Sequence, residues 1–269
     1  MTVAVQGSKA LSELADLETS LDDFYRGRFQ AEQPVATGHR SGSDALLIAA
    51  SLPEDASGEL ADLGAGAGVA GLAAAVANPA LKATLVEKNA QMAGLAKKNL
   101  RLRSNLTFAN RTGVLQADVT LSGSKRQEAG LKENHFDYVI MNPPYNHDAQ
   151  RASPDAMRSE AHVMGLFGLD AWIRTATAIL KPGGMLVMIY RTEKIGEVAA
   201  CAQGRFGGIA IVPVHSKIDA GAKRILLRMV KGSRAPLTIM PGLVLHENDG
   251  KPTKLAEALM NGEARVIFD

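Results

Sequence analysis

Along the chain, short apolar runs alternate with stretches in which apolar positions recur every three or four residues, the pattern of strands interleaved with helices. The runs at residues 59–63, 83–87, 136–141 and 185–190 are too brief for helices, and a further strand falls at 106–110 or 113–115. Helices are predicted from the glycine-rich stretch after residue 63 to Ala77, from Asn89 onward, over 166–180 with Trp172, Ile173 and Ile179 facing the core, and over 193–202. Segments 208–214 and 224–230 predict a closing pair of strands. The polar segment 122–134 reads as a loop, and the chain beyond Gly232 as irregular with a short helix over 253–260. Ahead of all this, Leu11, Leu14, Leu17 and Leu21 predict a helix over residues 1 to about 23. Glycine and proline between Phe24 and Asp44 predict a short hairpin and turn, followed by a helix over 45–52 that Ser43 or Asp44 caps and Pro53 stops. The expectation is an α/β protein with an N-terminal extension, residues 1–54, ahead of one larger domain, residues 55–269.

Composition narrows the class. A hydrophobic fraction of 46% is that of a folded globular chain. One cysteine, Cys201, excludes an internal disulfide framework and suits a reducing compartment. Residues 1–21 mix charged and polar positions without an apolar core, and no apolar run approaches the length of a membrane span, so a cytoplasmic chain without membrane contact is expected. The formal charge of +2 permits a nucleic-acid partner without requiring one.

The candidate chemistry collects where strands end. Strand 59–63 runs into Gly64-Ala65-Gly66-Ala67-Gly68 and then a helix. In that order the glycines let backbone approach a ligand that the helix N-terminus faces. The spacing is G-x-G-x-G, not the dinucleotide G-x-G-x-x-G. Glu87 ends the next strand about 25 residues after Asp62, where a doubly wound fold sets the carboxylate that accepts ribose hydroxyls. Asp118, at a later strand end, is a candidate acceptor for an adenine amino group. The run at 136–141 then delivers Asn142-Pro143-Pro144-Tyr145. Two prolines remove two backbone donors and fix two φ angles, so the turn is stiff. An amide oxygen and a rigid carbonyl can accept both hydrogens of a planar –NH2 group while the ring stacks on the plane that carries it.

The polar stretch 146–162 follows directly and is expected to be a substrate-contacting flap, with Arg151, Arg158 and His162 reaching the substrate. Arg40, with Arg26, Arg28 and His39, could touch phosphate, although a solvated hairpin explains those charges equally. The face carrying Lys97, Lys98, Arg101 and Arg103 reads as solvated. The six histidines show no H-x-x-x-H spacing and a lone cysteine forms no thiolate cluster, so no metal site is expected. No G-x-S-x-G elbow occurs.

Together Asp62, the glycine turn, Glu87, Asp118 and Asn142 to Tyr145 resemble the class I S-adenosylmethionine-dependent methyltransferases that act on planar amino nitrogens, over roughly residues 55–230. The resemblance implies a Rossmann-like, doubly wound, seven-stranded and mostly parallel sheet whose last strand is antiparallel. It implies that Asp62, Gly64, Gly66 and Gly68 hold the methionine part of the cofactor, Glu87 its ribose and Asp118 its adenine, while Asn142, Pro143 and Tyr145 act on the substrate. Gly38 to Leu47 and the tail from Lys231 look like bacterial tRNA(Val)-type adenine-N6 methyltransferases, which implies RNA, a tRNA first, as partner. The same tetrapeptide serves DNA adenine, ribosomal-RNA guanine and protein glutamine methylation. A separate helical domain precedes the catalytic one in the glutamine enzymes, and only about 55 residues precede the catalytic domain here. A nicotinamide-dependent oxidoreductase would leave Asn142 to Tyr145 without a role, and a non-catalytic RNA-binding protein would not need them intact.

Overall fold

The apolar runs assemble into one sheet, and the helical stretches cover both its faces. The computed structural model describes residues 18–35, 41–144 and 156–268, with the backbone alone for 156–167. A hairpin comes first, β1 (Thr19–Phe24) and β2 (Phe29–Pro34), then α1 (Ser43–Ala50). The alternation follows: β3 (Gly58–Leu63), α2 (Val69–Ala77), β4 (Leu81–Glu87), α3 (Ala90–Asn99), a 3-10 turn (Arg103–Asn105), α4 (Leu106–Ala109) and β5 (Thr112–Gln116). After α5 (Gly123–Glu128) come β6 (Phe136–Met141), α6 (Ala156–Ile179), β7 (Leu180–Arg191), α7 (Ile195–Ala202), β8 (Phe206–His215) and β9 (Arg224–Lys231). Two-residue strands β10 (Thr238–Ile239) and β11 (Leu243–Val244) and helix α8 (Lys254–Met260) complete the described chain.

Seven long strands run in the order β5-β4-β3-β6-β7-β9-β8. The first five are parallel, and β9 is antiparallel to both its neighbours. That is the expected seven-stranded sheet with its last strand reversed, and β10 and β11, both parallel to β8, widen it to nine. The chain lays β4 and β5 on one side of β3, then crosses to set β6 on the other. Such a switch point opens a crevice at the carboxyl ends of the strands on its two sides. Register brings those ends level: Met141 pairs Leu63, Leu63 pairs Val86, and Glu87 pairs Gln116.

Helices on both faces explain why β6 and β7 read as continuous apolar runs rather than alternating ones. Leu60, Leu85, Ile140, Val187 and Leu226 face one core with Leu47 of α1 and Leu72 of α2. Leu63, Val86, Met141, Met188 and Leu227 face the other with Ile173 and Ile179 of α6. The hairpin belongs to the first core through Phe29 and Tyr25, both buried.

Several expected boundaries give way. Leu21 stands in β1, not on a helix, while residues 1–17 lie outside the described residues. Residues 106–109 are helical, so the third parallel strand is at 112–116. Within 122–134 a short helix, α5, folds around Arg126, which is buried and donates to Glu133 at 2.6 Å. Neither Ser43 nor Asp44 caps α1; Gly42 holds that position, and Asp44 pairs with Arg224 at the start of β9. None of the helices among the described residues is long and apolar enough to cross a membrane.

Candidate active site

The site grows from the end of β3. Gly64, Gly66 and Gly68 take φ of 71°, 58° and 94°, a region strained for any residue with a Cβ. Space adds to the demand at two of them: a Cβ on Gly64 would run into the Trp172 ring of α6, and one on Gly68 would sit 2.8 Å from Leu85. The turn is fastened to β4 by the Gly64 and Ala65 N–H groups, which donate to the Val86 carbonyl at 2.8 and 3.0 Å.

Helix α2 begins at Gly68, which has no side chain to satisfy the first-turn N–H groups. Asp62 of β3 does so for one of them, and Glu87 of β4 holds the turn ahead of the helix. Asp62 Oδ2 accepts from the Gly71 N–H at 2.8 Å. Glu87 Oε2 accepts from the Gly66 N–H at 2.9 Å, and its Oε1 from the Asn89 N–H at 2.8 Å. At the far end Arg111 donates to the Ala75 carbonyl at 2.5 Å and Arg265 to that of Ala77 at 3.1 Å. The uncharged sequence of α2 thus has its dipole matched from outside, acids at the amino end and arginines at the carboxyl end. Asp62 is only 3% exposed; burial pushes its carboxyl up to about 7, against the Gly71 bond and with the charge of Glu87 adding.

Beside β4 and β5 an open cleft of about 530 Å³ is lined by Lys88, Asn89, Gln116, Ala117 and Asp118. Asp118 Oδ1 accepts from the Thr120 N–H at 2.8 Å and hydroxyl at 2.7 Å. Burial works to raise that carboxyl, but the Thr120 bonds and the charge of Lys88 outweigh it and hold Asp118 below the usual range, ionised at neutral pH. From behind, Thr175 of α6 pins the segment by donating to the Val119 carbonyl at 2.6 Å.

On the other side of β3, Asn142 continues β6 one residue beyond Met141, the partner of Leu63. It therefore emerges beside Gly64, exposed, with Pro143 buried behind it. Strands lie about 4.8 Å apart, so the ends of β6, β3, β4 and β5 set Asn142, the glycine turn, Glu87 and the Asp118 cleft in a row of about 14 Å. The structure thus brings Asp62, Gly64, Gly66, Gly68, Glu87, Asp118, Asn142 and Pro143 to one edge. Tyr145, Arg40 and Arg151 lie outside the described residues. Arg158 and His162 stand on α6, which begins at Ala156 rather than near residue 166, so 156–162 of the expected flap are helical; residues 146–155 and the side chains of Arg158 and His162 lie outside the described part. Among the described residues no cluster of His, Cys, Asp or Glu could hold a metal ion. Missing from the sequence reading were Lys88 and Gln116 of the cleft, Trp172 against Gly64, and Thr175.

The family model of the methyltransferase small domain matches residues 36–218. The chain belongs to that family. It is an S-adenosylmethionine-dependent methyltransferase. A solved structure described as a predicted O-methyltransferase from Agrobacterium tumefaciens is similar over 83% of this methyltransferase and 98% of its own chain, at 39% identity and a TM-score of 0.72. The tRNA1(Val) (adenine(37)-N6)-methyltransferase of Shewanella sediminis is 26% identical over 66% of this chain and 65% of its own. Ribosomal RNA small subunit methyltransferase C of Erwinia tasmaniensis is 28% identical over 65% of this chain, and the match spans 44% of its length. The row of strand ends fits the cofactor of this methyltransferase: glycine backbone without side chains, a carboxylate at the end of β4, and an open cleft beyond it.

Proposed function

We propose that this methyltransferase acts on the N6 amino group of adenine in RNA, a tRNA first among the candidates. The observation that carries the reading is Asn142-Pro143 at the end of β6, across the switch point from the glycine turn through the Leu63–Met141 pair. In this reading the glycine turn with Asp62 holds the methionine part of the cofactor, Glu87 accepts from the ribose hydroxyls, and Asp118 accepts from the adenine amino group. S-adenosylmethionine, when bound, supplies an electrophilic methyl group on a sulfonium that leaves as a neutral thioether.

The chain's own part is to make a poor nucleophile a good one. An adenine amino nitrogen has its lone pair spread into the ring. Asn142 Oδ1 and the Pro143 carbonyl would each accept one N–H, drawing the nitrogen towards tetrahedral geometry and aiming its lone pair along the sheet edge towards Gly64. Positioning and charge stabilisation of this kind act chiefly in the transition state. Tyr145 would stack on the base, worth about 1–3 kcal/mol in comparable single-strand sites. The base must already be unstacked, as in a loop, for its edge to enter. Relatives named for tRNA adenine and ribosomal-RNA methylation support an RNA substrate.

One observation favours a second reading: the relative at 39% identity is described as a predicted O-methyltransferase. A hydroxyl has a single hydrogen, however, whereas Asn142 and Pro143 provide two acceptors. The test is transfer from labelled S-adenosylmethionine into total small RNA and, in parallel, into cell protein, with the products digested and identified. Label in N6-methyladenosine is expected. Label in a 2′-O-methyl nucleoside, N2-methylguanosine or methylglutamine would replace the proposed substrate. Asn142→Ala should abolish transfer while cofactor binding stays within about twofold; transfer at the wild-type rate would remove Asn142 from the mechanism.

A further inference from the structure

Asn99, the last residue of α3, is fully buried and uses its amide on two partners at once. Its Nδ2 donates to the carbonyl of Ala67 in the middle of the glycine turn at 2.9 Å and to the carbonyl of Glu32 in β2 at 3.0 Å. Its Oδ1 accepts from the Glu32 N–H at 2.8 Å. A short distance away Asn105 does half of the same: Nδ2 donates to the Gln30 carbonyl at 2.7 Å and Oδ1 accepts from the Gln30 N–H at 3.0 Å. Gln30 and Glu32 are two apart, so their backbone groups face the same edge of β2, opposite β1. Two asparagine amides therefore stand in for a strand along an edge that would otherwise need pairing.

Asn105 also donates to the Asn99 backbone carbonyl at 2.7 Å, but only Asn99 reaches the glycine turn. The Ala67 carbonyl lies between Gly66, whose N–H is held by Glu87, and Gly68, which opens α2. An amide fixed to Glu32 on one side thus sets the orientation of the peptide between two positive-φ glycines on the other.

We infer that Asn99 is a positioning residue that holds the cofactor turn in its binding shape and couples its occupancy to the N-terminal hairpin. The hairpin is then part of the cofactor site's support and not an appendage to the domain. This rests on the chain being an S-adenosylmethionine-dependent methyltransferase and is independent of what it methylates. Coupling between two sites is reciprocal, so cofactor that steadies the turn must also steady the Glu32 amide.

The test has two arms, neither needing the nucleic acid. In the wild-type protein, amide hydrogen exchange at Gln30 and Glu32 is measured with and without S-adenosylmethionine. Slower exchange at Glu32 on binding is expected; slowing confined to residues 64–71 overturns the coupling. In the second arm, S-adenosylmethionine affinity and unfolding midpoint are measured for Asn99→Asp and Asn105→Ala. Asn99→Asp keeps the acceptor for Glu32 but turns an oxygen towards two carbonyls, and should weaken cofactor binding about five- to a hundredfold. Asn105→Ala loses the pairing to Gln30 and the bond to the Asn99 carbonyl but no contact with the glycine turn, and should weaken binding by less than about twofold at a comparable loss of stability. Equal effects of the two variants on affinity would reduce Asn99 to a hairpin fastener, and if Asn99→Asp does not fold, the exchange arm decides alone.

Discussion

Asp62 has two duties that pull its carboxyl in opposite directions. As acceptor for the Gly71 N–H it favours the charged form, while complete burial and the nearby charge of Glu87 favour the neutral one, and its carboxyl ends near 7 instead of the usual 3.8. Between those values the folded chain keeps a proton that the unfolded chain has released, so its contribution to stability is present below about 3.8 and is lost as pH rises through about 7. Without cofactor, wild-type stability minus that of Asp62→Asn should fall between about pH 4.5 and about pH 7.5 in urea titrations; a constant difference would contradict the shift. The glycines separate two kinds of requirement. At Gly66 the nearest atom to an added Cβ is 3.8 Å away, so Gly66→Ala meets only the backbone penalty, about 1–2 kcal/mol. At Gly64 the Trp172 ring is in the way as well, and Gly64→Ala should lose about 2–5 kcal/mol in the same titrations. Equal losses would mean that Trp172 moves aside freely. The spacing of the glycines was legible in the chain; the indole against one of them, over a hundred positions away, was not.

Elements carry the next layer. Helix α6 does more than cover the sheet, because Thr175 reaches the Val119 and Leu121 carbonyls at 2.6 and 3.3 Å and so fixes the segment that carries Asp118. Thr175→Val keeps the shape and leaves Val119 without that bond. The expected outcome is a loss of about 1–3 kcal/mol with weaker cofactor binding, measured by thermal melting and by calorimetric titration. Melting alone affected would mean the Asp118 segment holds its shape unaided. Helices with a long apolar repeat, α2 and α6, were readable as helices, although α6 starts ten residues earlier than its apolar face suggests. Helix α5 was not, since Gly123 to Glu128 has no apolar face and its buried member is an arginine whose partner, Glu133, makes burial tolerable only in the folded chain. Leu106 to Ala109 misled in the opposite sense, apolar enough for a strand yet folded as a single helical turn that buries Phe108.

At the scale of the molecule, the tail and the hairpin close over one face of the sheet. Leu243, Leu245, Leu259 and Phe268 are buried in the same core as Phe29 and Tyr25, and the Val266 N–H donates to the Ala50 carbonyl at 2.9 Å. Ending the chain at Lys231 would expose that core and the outer edge of β8. Circular dichroism should then show a cooperative melt that is lost or shifted sharply downward; an unchanged melt would make the tail dispensable. From residue types and local order alone came the α/β alternation, the glycine turn between a strand and a helix, the acid that ends β4 and the stiff Asn142-Pro143-Pro144 turn, because each depends on backbone freedom or side-chain period within a few neighbours. The path of the sheet is another matter. That β9 lies between β7 and β8, that two tail strands lengthen the β8 edge, that Asp44 pairs with Arg224 rather than capping its helix, and that Asn99 ties the glycine turn to the hairpin are long-range pairings. Buried amides and charges of that kind have no sequence period. Their positions depend on which carbonyl or counter-charge is within hydrogen-bond reach once the layers have packed.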